Sequence, residues 1–165
     1  MIRTKQVATG ILLVLLLAVA IFITWIYSRI DSSLPLLNGQ KTIYGLSASV
    51  TINRDKQGIP TIIAKNRTDL AVATGFIHAQ ERFFQMDLLR RNSAGELSSL
   101  FGEIALDYDK EIRQHRFRQR AHAILEQLPA SEQALLKAYT RGVNEGLNHL
   151  YAKPFEYYLL QQEPV

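Results

Sequence analysis

His78 and Glu81 stand three residues apart in HAQE, close on one face of any helix that carries them. A histidine and a carboxylate at that spacing could begin a metal site or act as an acid/base pair. Helical di-iron sites use the opposite order, ExxH, in two copies with added carboxylates, and nothing in this chain supplies the second set. The plainer reading is a hydrogen-bonding pair packed inside a larger body. Asp87 with Arg90 and Arg91 places the acid before its bases at i+3 and i+4, which suits ion pairs on a helix surface worth about 0.2–0.5 kcal/mol each. Lys110, Arg113, Arg116, Arg118 and Arg120 form the one basic concentration. Arg113, Arg116 and Arg120 make a stripe, with Phe117, Ala121, Ile124 and Leu128 on the opposing apolar face. A solvated helix face is the default for such a stripe, and phosphate or acidic lipid is the alternative. Ser93, Ser98 and Ser99 lie near a helix end with no flanking histidine. The chain has no cysteine, no GxSxG elbow and no glycine-rich phosphate cradle. No residue here is therefore assigned a catalytic, cofactor-binding or metal-binding role.

The elements that would position these side chains begin after a connector, Ser32 to Tyr44, which Pro35 and Gly39 interrupt. Ala48, Val50 and Ile52 alternate with Ser49, Thr51 and Asn53, the period of a half-buried strand. Arg54 to Gly58 (RDKQG) supplies turn chemistry, with Gly58 suited to positive φ. Ile59 to Ala64 returns as a second strand, with Pro60 at its start or edge. Asn66 or Thr68 caps a long helix, Asp69 sits at the positive end of its dipole, and the helix runs to about Asn92 and stops before Gly95. Leu70, Ile77, Phe84 and Leu88 form its apolar stripe, which Phe76, Phe83 and Met86 widen. A helix apolar on several sides is buried against more than one partner. Shorter helices are expected at Glu96–Phe101, closed by Gly102, at Asp109–Leu128, stopped by Pro129, and at Glu132–Leu150 with Ser131 as N-cap. Gly142 and Gly146 inside the last one point to close backbone packing on that face, since glycine there costs about 1 kcal/mol against alanine.

Before all of this stands Val7–Tyr27, 21 residues without a charge, long enough to span about 30 Å of hydrocarbon. Trp25 and Tyr27 close its far end, where amphipathic rings favour the headgroup region. A cleaved signal peptide is the competing reading, with Ala18-Val19-Ala20 as a small-x-small site. Cutting there would leave IFITWIY exposed, which favours an uncleaved signal anchor. Arg3, Lys5 and the amino terminus precede the span and Arg29 follows it, so the positive-inside bias gives an N-in, single-pass topology. Residues 1–31 are thus read as cytoplasmic stub and anchor in the inner membrane, 32–46 as juxtamembrane linker, and 47–165 as one partial domain facing the periplasm or exterior. Without Arg3, Lys5, Arg29 and Asp31 the chain holds 16 Lys and Arg against 14 Asp and Glu, no basis for a nucleic-acid footprint.

Four blocks carry more specific information: RDKQGIPTIIAKN, GFIHAQERFFQMDLLRRNSAGELSSLFG, AYTRGVNEGLN and KPFEYYLLQQEPV. In this order and spacing they resemble the amino-terminal part of the penicillin acylase family, which includes penicillin, cephalosporin and acyl-homoserine lactone acylases. The resemblance covers about residues 47–165. It implies an N-terminal-nucleophile amide hydrolase made as a self-cleaving precursor, whose β chain begins with the nucleophilic serine and uses its own α-amine as base. It also implies an α+β fold in which the hairpin and helices form part of a four-layer αββα sandwich, incomplete in this chain. The family's nucleophile, oxyanion donors, calcium carboxylates and pocket-lining helix all fall beyond the match. Calcium is accordingly expected only in the full-length protein, as are the β-chain partner and the small acyl-amide substrate. On this reading the 165 residues alone are inactive, and Val7–Tyr27 partners the bilayer. The alternative is a complete, membrane-tethered helical interaction or scaffold protein without catalysis.

Overall fold

The computed structural model describes residues 2–35 and 37–164. The side chains of residues 2–5 and 7–9, and with them the Arg3 and Lys5 flank, lie outside the described residues. The element order is α1 (Ile2–Ser33), β1 (Thr51–Arg54), β2 (Pro60–Ile63), α2 (Arg67–Ala94), α3 (Ser98–Phe101), a 3-10 turn (Gly102–Ala105), α4 (Leu106–Gln114), α5 (Phe117–Gln127), α6 (Ala130–Asn148) and α7 (Phe155–Leu159). The chain is mostly helical with one two-stranded antiparallel sheet. Within α1, Gly10–Ser33 is long and apolar enough to cross a membrane, and its most apolar 18-residue window is not buried against the rest of the chain. A signal sequence has the same length and composition, so that pair of readings stays open at this level.

The hairpin forms where its turn chemistry stands. Asp55 accepts from the Gln57 and Ile59 amides, both at 2.9 Å, and Gly58 takes φ +81. Arg54 pairs with Pro60 and Thr51 with Ile63, so Pro60 sits at the strand start where its missing N–H is harmless. The hydrogen-bonded strands are shorter than the alternating pattern, yet Ala48, Val50 and Ile52 are half-buried while Ser49, Thr51 and Asn53 are exposed. The half-burial extends beyond the ladder.

Asn66 is the N-cap of α2; its side chain accepts from the Asp69 amide at 2.8 Å. Gly95 ends the helix in the left-handed conformation, with a Cβ there only 2.6 Å from the Asp109 carbonyl oxygen. Between these ends the inward face differs from the expected stripe. Val72, Phe76, Ala79, Phe83, Asp87 and Arg91, spaced by four or three, are buried. Leu70 is 41% exposed, and Phe84 and Leu88 are only half-buried beside the core. Ile77, Phe76 and Phe83 are buried as expected, but the inner end of the face is polar, and apolar counting cannot select a face that carries Asp87 and Arg91. The helix also breaks at Arg82 (φ −142, ψ 22), directly after Glu81, whose carboxylate is held by Arg54 of β1.

Helix α6 lies along α2 with the two backbones in contact. A Cβ on Gly142 would stand 1.9 Å from the Val72 carbonyl oxygen, and one on Gly146 would stand 2.4 Å from that of Phe76. In the reciprocal sense, a Cβ on Gly75 would stand 2.1 Å from the Tyr139 carbonyl oxygen. The expected close packing at Gly142 and Gly146 is therefore the main seam of the fold. Ala79, Phe83, Leu100 and Tyr157 form the core beside it.

Two helix boundaries are corrected. Residues Asp109–Leu128 do not form one helix: α4 closes with 3-10-type bonds at His115 and Arg116, and Arg116 is left-handed (φ 54). That conformation costs a non-glycine residue about 1–2 kcal/mol. In return Arg113 donates to the Gly95 carbonyl at 2.8 Å while Arg118 grips Glu96. On a straight helix these two arginines would diverge by more than a quarter turn and could not both face one corner. The last long helix begins at Ala130 with Pro129 as N-cap, so Ser131 lies inside the first turn instead of capping it. Pro129 suits that start because an orphan N–H is not required there. Helix α7 was not foreseen.

Candidate functional site

His78 and Glu81 do not act together. His78 Nδ1 lies 3.0 Å from the Tyr139 hydroxyl on α6, whereas Glu81 turns to Arg54 on the hairpin. Both border a cleft of about 440 Å3, which Pro60, Ile62, Ile77 and Met86 complete. No nucleophile with an adjacent base faces it. A second cleft, of about 550 Å3, lies between the connector, β1 and α2, floored by Ala73, Phe76 and Ile77.

The charged group on α2 is the largest departure from expectation. Asp87, Arg90 and Arg91 are not a surface ladder: Asp87 and Arg91 are buried. Asp87 Oδ2 accepts from the Tyr157 hydroxyl at 2.7 Å and from Arg91 Nε at 2.9 Å, while Oδ1 accepts from Arg90 at 2.6 Å. Arg91 continues to Ser99 Oγ at 2.6 Å, and that hydroxyl donates to the Glu96 carbonyl. One carboxylate thus ties α2 to α7 and, through Arg91, to the start of α3. Burial pushes the Asp87 carboxyl up, but the hydrogen bonds from Tyr157, Arg91 and Arg90 outweigh it and hold it below the usual carboxylate range. The same burial, with the anion beside it, drives the Tyr157 phenol far up. The pair is an ionised acid and a neutral phenol, fixed in place.

Two further buried aspartates were missed as such. Asp69 accepts from the Ser47 amide and hydroxyl, both at 2.8 Å, and from Asn66 at 2.7 Å, so it fastens the connector to the α2 N-terminus. The Ser47 amide is the main reason its carboxyl is held low. Asp109 accepts from the Leu97 and Ser98 amides at 2.9 and 2.7 Å. Burial pushes it up, and the Ser98 and Leu97 bonds more than reverse this. The sequence signal was slight: an acid at a helix start is as compatible with exposure as with burial.

The serines have structural partners. Ser93 and Ser99 donate to backbone carbonyls, and the Ser98 amide is held by Asp109. The basic stripe dissolves at the Arg116 reversal, with Arg113 and Arg118 bound to Gly95 and Glu96. No group of three histidine or acidic side chains among the described residues could hold a metal ion. Every buried side-chain polar atom among them has a partner. Three carboxylates engaged by protein donors, and a His78 and Glu81 that turn to different partners, hold the elements together.

Residues 49–165, the hairpin and every helix after it, match the penicillin amidase family as a whole. The chain belongs to that family. The penicillin acylase 2 proenzyme of Pseudomonas sp. is 39% identical over 135 residues, 82% of this chain and 17% of that protein. The acyl-homoserine lactone acylase QuiP of Pseudomonas aeruginosa is 34% identical over 121 residues, covering 73% and 14%. The penicillin G acylase of Escherichia coli is 30% identical over 122 residues, covering 74% and 14%. The chain thus spans about one-sixth of the length of these curated relatives. Among solved structures, a thermostable penicillin G acylase from Alcaligenes faecalis superposes with a TM-score of 0.62 at 27% identity, over 71% of this chain and 65% of that one. This penicillin amidase segment is similar in fold to part of that acylase chain, and its buried charges knit the shared elements together.

Proposed function

We propose that the chain is the amino-terminal portion of a membrane-anchored amidohydrolase that cleaves a linear acyl amide. The observation that carries this reading is the family match over 49–165, joined to a fold in which every buried side-chain polar atom among the described residues has a partner. The reacting group is then an N-terminal serine outside these residues, exposed by processing of a precursor. The similarity to a protein named as a proenzyme supports the processing step. Once freed, the serine hydroxyl attacks the amide carbonyl, its α-amine takes the proton and returns it to the leaving amine, and water completes the acyl transfer. Oxyanion donors come from the partner β chain. The hairpin and helices complete an αββα sandwich with that chain.

The described residues do not fit a calcium ion. Asp69, Asp87 and Asp109 are turned to protein donors, and no acidic cluster remains. Calcium in the full protein would need ligands from beyond these residues. Helix α1 serves as an uncleaved anchor in the inner membrane, amino terminus inside, with the body facing the periplasm or exterior. Its length and exposed apolar surface support a membrane span. No nucleic-acid partner is proposed.

The full-length product tests the reading. Mass spectrometry should find two chains, the second starting with serine, and an amide panel of phenylacetyl-, glutaryl- and acyl-homoserine lactone substrates should be cleaved by at least one route. Replacing that serine with alanine should abolish processing and turnover together. An unprocessed, inactive product that is soluble and cooperatively folded would instead establish the scaffold alternative.

A further inference from the structure

We infer that the foot of the body, built from Tyr151, Leu34 and Leu37, lies in the headgroup layer of the bilayer that α1 spans. The inference rests on the anchor reading of α1 and goes beyond it, because a tether alone does not require the body to touch lipid. The Ala152 amide donates to the Ser32 carbonyl at 3.0 Å, so the loop between α6 and α7 is fastened to the last turn of α1. Ser32 lies five residues past Tyr27, about 7.5 Å along the helix axis. The headgroup region extends roughly 5–8 Å beyond the hydrocarbon on each side. Tyr151, the neighbour of Ala152, therefore emerges at headgroup depth.

Its surroundings suit that zone. Tyr151 is 78% exposed, and Leu34 and Leu37 are likewise exposed large apolar side chains. Lys41 Nζ sits 5.3 Å from the Tyr151 ring centre and donates to the His149 carbonyl. Arg29 lies over the Trp25 ring at 5.6 Å on the helix itself. Aromatic rings paired with cations match an interface of apolar carbon below and anionic phosphate above. The occupant is thus the anionic bilayer surface, and the fastened loop holds the body at a fixed height above it.

The absence of cysteine from the 165 residues permits single nitroxide labels in this region of the full-length protein, placed in phosphatidylglycerol-containing nanodiscs. L15C reports mid-span, Q57C the exposed hairpin turn, and Y151C the foot. Oxygen should dominate at L15C and a water-soluble nickel complex at Q57C. At Y151C the nickel accessibility should be severalfold below Q57C with oxygen retained. If L15C reads hydrocarbon while Y151C matches Q57C, the foot is overturned and the anchor stands. If Y151C is shielded from both reagents, protein covers it and the foot is again overturned. Water at L15C, or loss of that label by cleavage, overturns the anchor and the foot with it.

Discussion

Helices α6 and α5 read alike in sequence, each with one apolar and one charged face, but they end in opposite states. Helix α6 buries Ala138, Gly142 and Gly146 against α2. Helix α5 has no buried residue, and Ile124 is 60% exposed. The difference lies in how closely the backbones can approach. Glycine and alanine let α6 meet α2 backbone to backbone, whereas α5 turns away at Arg116 and is held at its start by Arg118 and Glu96. An apolar face states that a helix can be covered. A small-residue seam states by what.

Five experiments on the full-length protein break or sharpen that contrast. Asp87→Ala should have the largest effect on the packed side, about 3–5 kcal/mol, because Arg91 would remain buried without its counter-charge. A lowered melting temperature and protease susceptibility of α7 would register it, and a change below about 1 kcal/mol would show the node to be solvated. Gly142→Ala should follow at about 3 kcal/mol, since its methyl group meets the Val72 backbone and not a movable side chain. Tolerance of alanine at Gly142 would contradict the seam.

Acid should weaken both sides, because Glu96, which holds Arg118 at the start of α5, is also held below its ordinary value by that arginine. Asp69, Asp87 and Asp109 all sit below their ordinary values, so the unfolded chain binds protons first as pH falls. Their stabilisation is complete above about pH 4 and is lost as pH drops through each folded-state value. Helical circular dichroism and tyrosine fluorescence over pH 2–6 would follow it, and Asp87→Asn should flatten the profile. The smallest effects belong to α5. Arg118→Ala should remove about 0.2–1 kcal/mol, as expected of a partly exposed ion pair. Ile124→Ser should stay within about 0.5 kcal/mol. A much larger loss at Ile124 would mean that the remainder of the polypeptide covers α5.

Much of the order of elements was legible. The RDKQG turn, Asn66 as cap, Gly95 as stop and the Gly142/Gly146 pair each express a local rule, so they survive without knowledge of neighbours. The break at Arg116 was not legible, because its compensation comes from Gly95 and Glu96, some twenty residues earlier. The Asp87 node was hidden for the same reason. Spacing gave its arginine partners, but Tyr157 lies seventy residues away and alone decides that the group is buried. The family blocks were legible as wording, and they point to a reaction whose groups this stretch does not hold.

The sequence by itself determined the apolar N-terminal helix, the hairpin, the caps and the family, since each depends on residue type and short spacing. Tertiary structure decided which face of α2 turns inward, where the fourth and fifth helices part, and that three aspartates are fasteners. Those outcomes depend on desolvation and on distant hydrogen-bond donors, which no local pattern encodes.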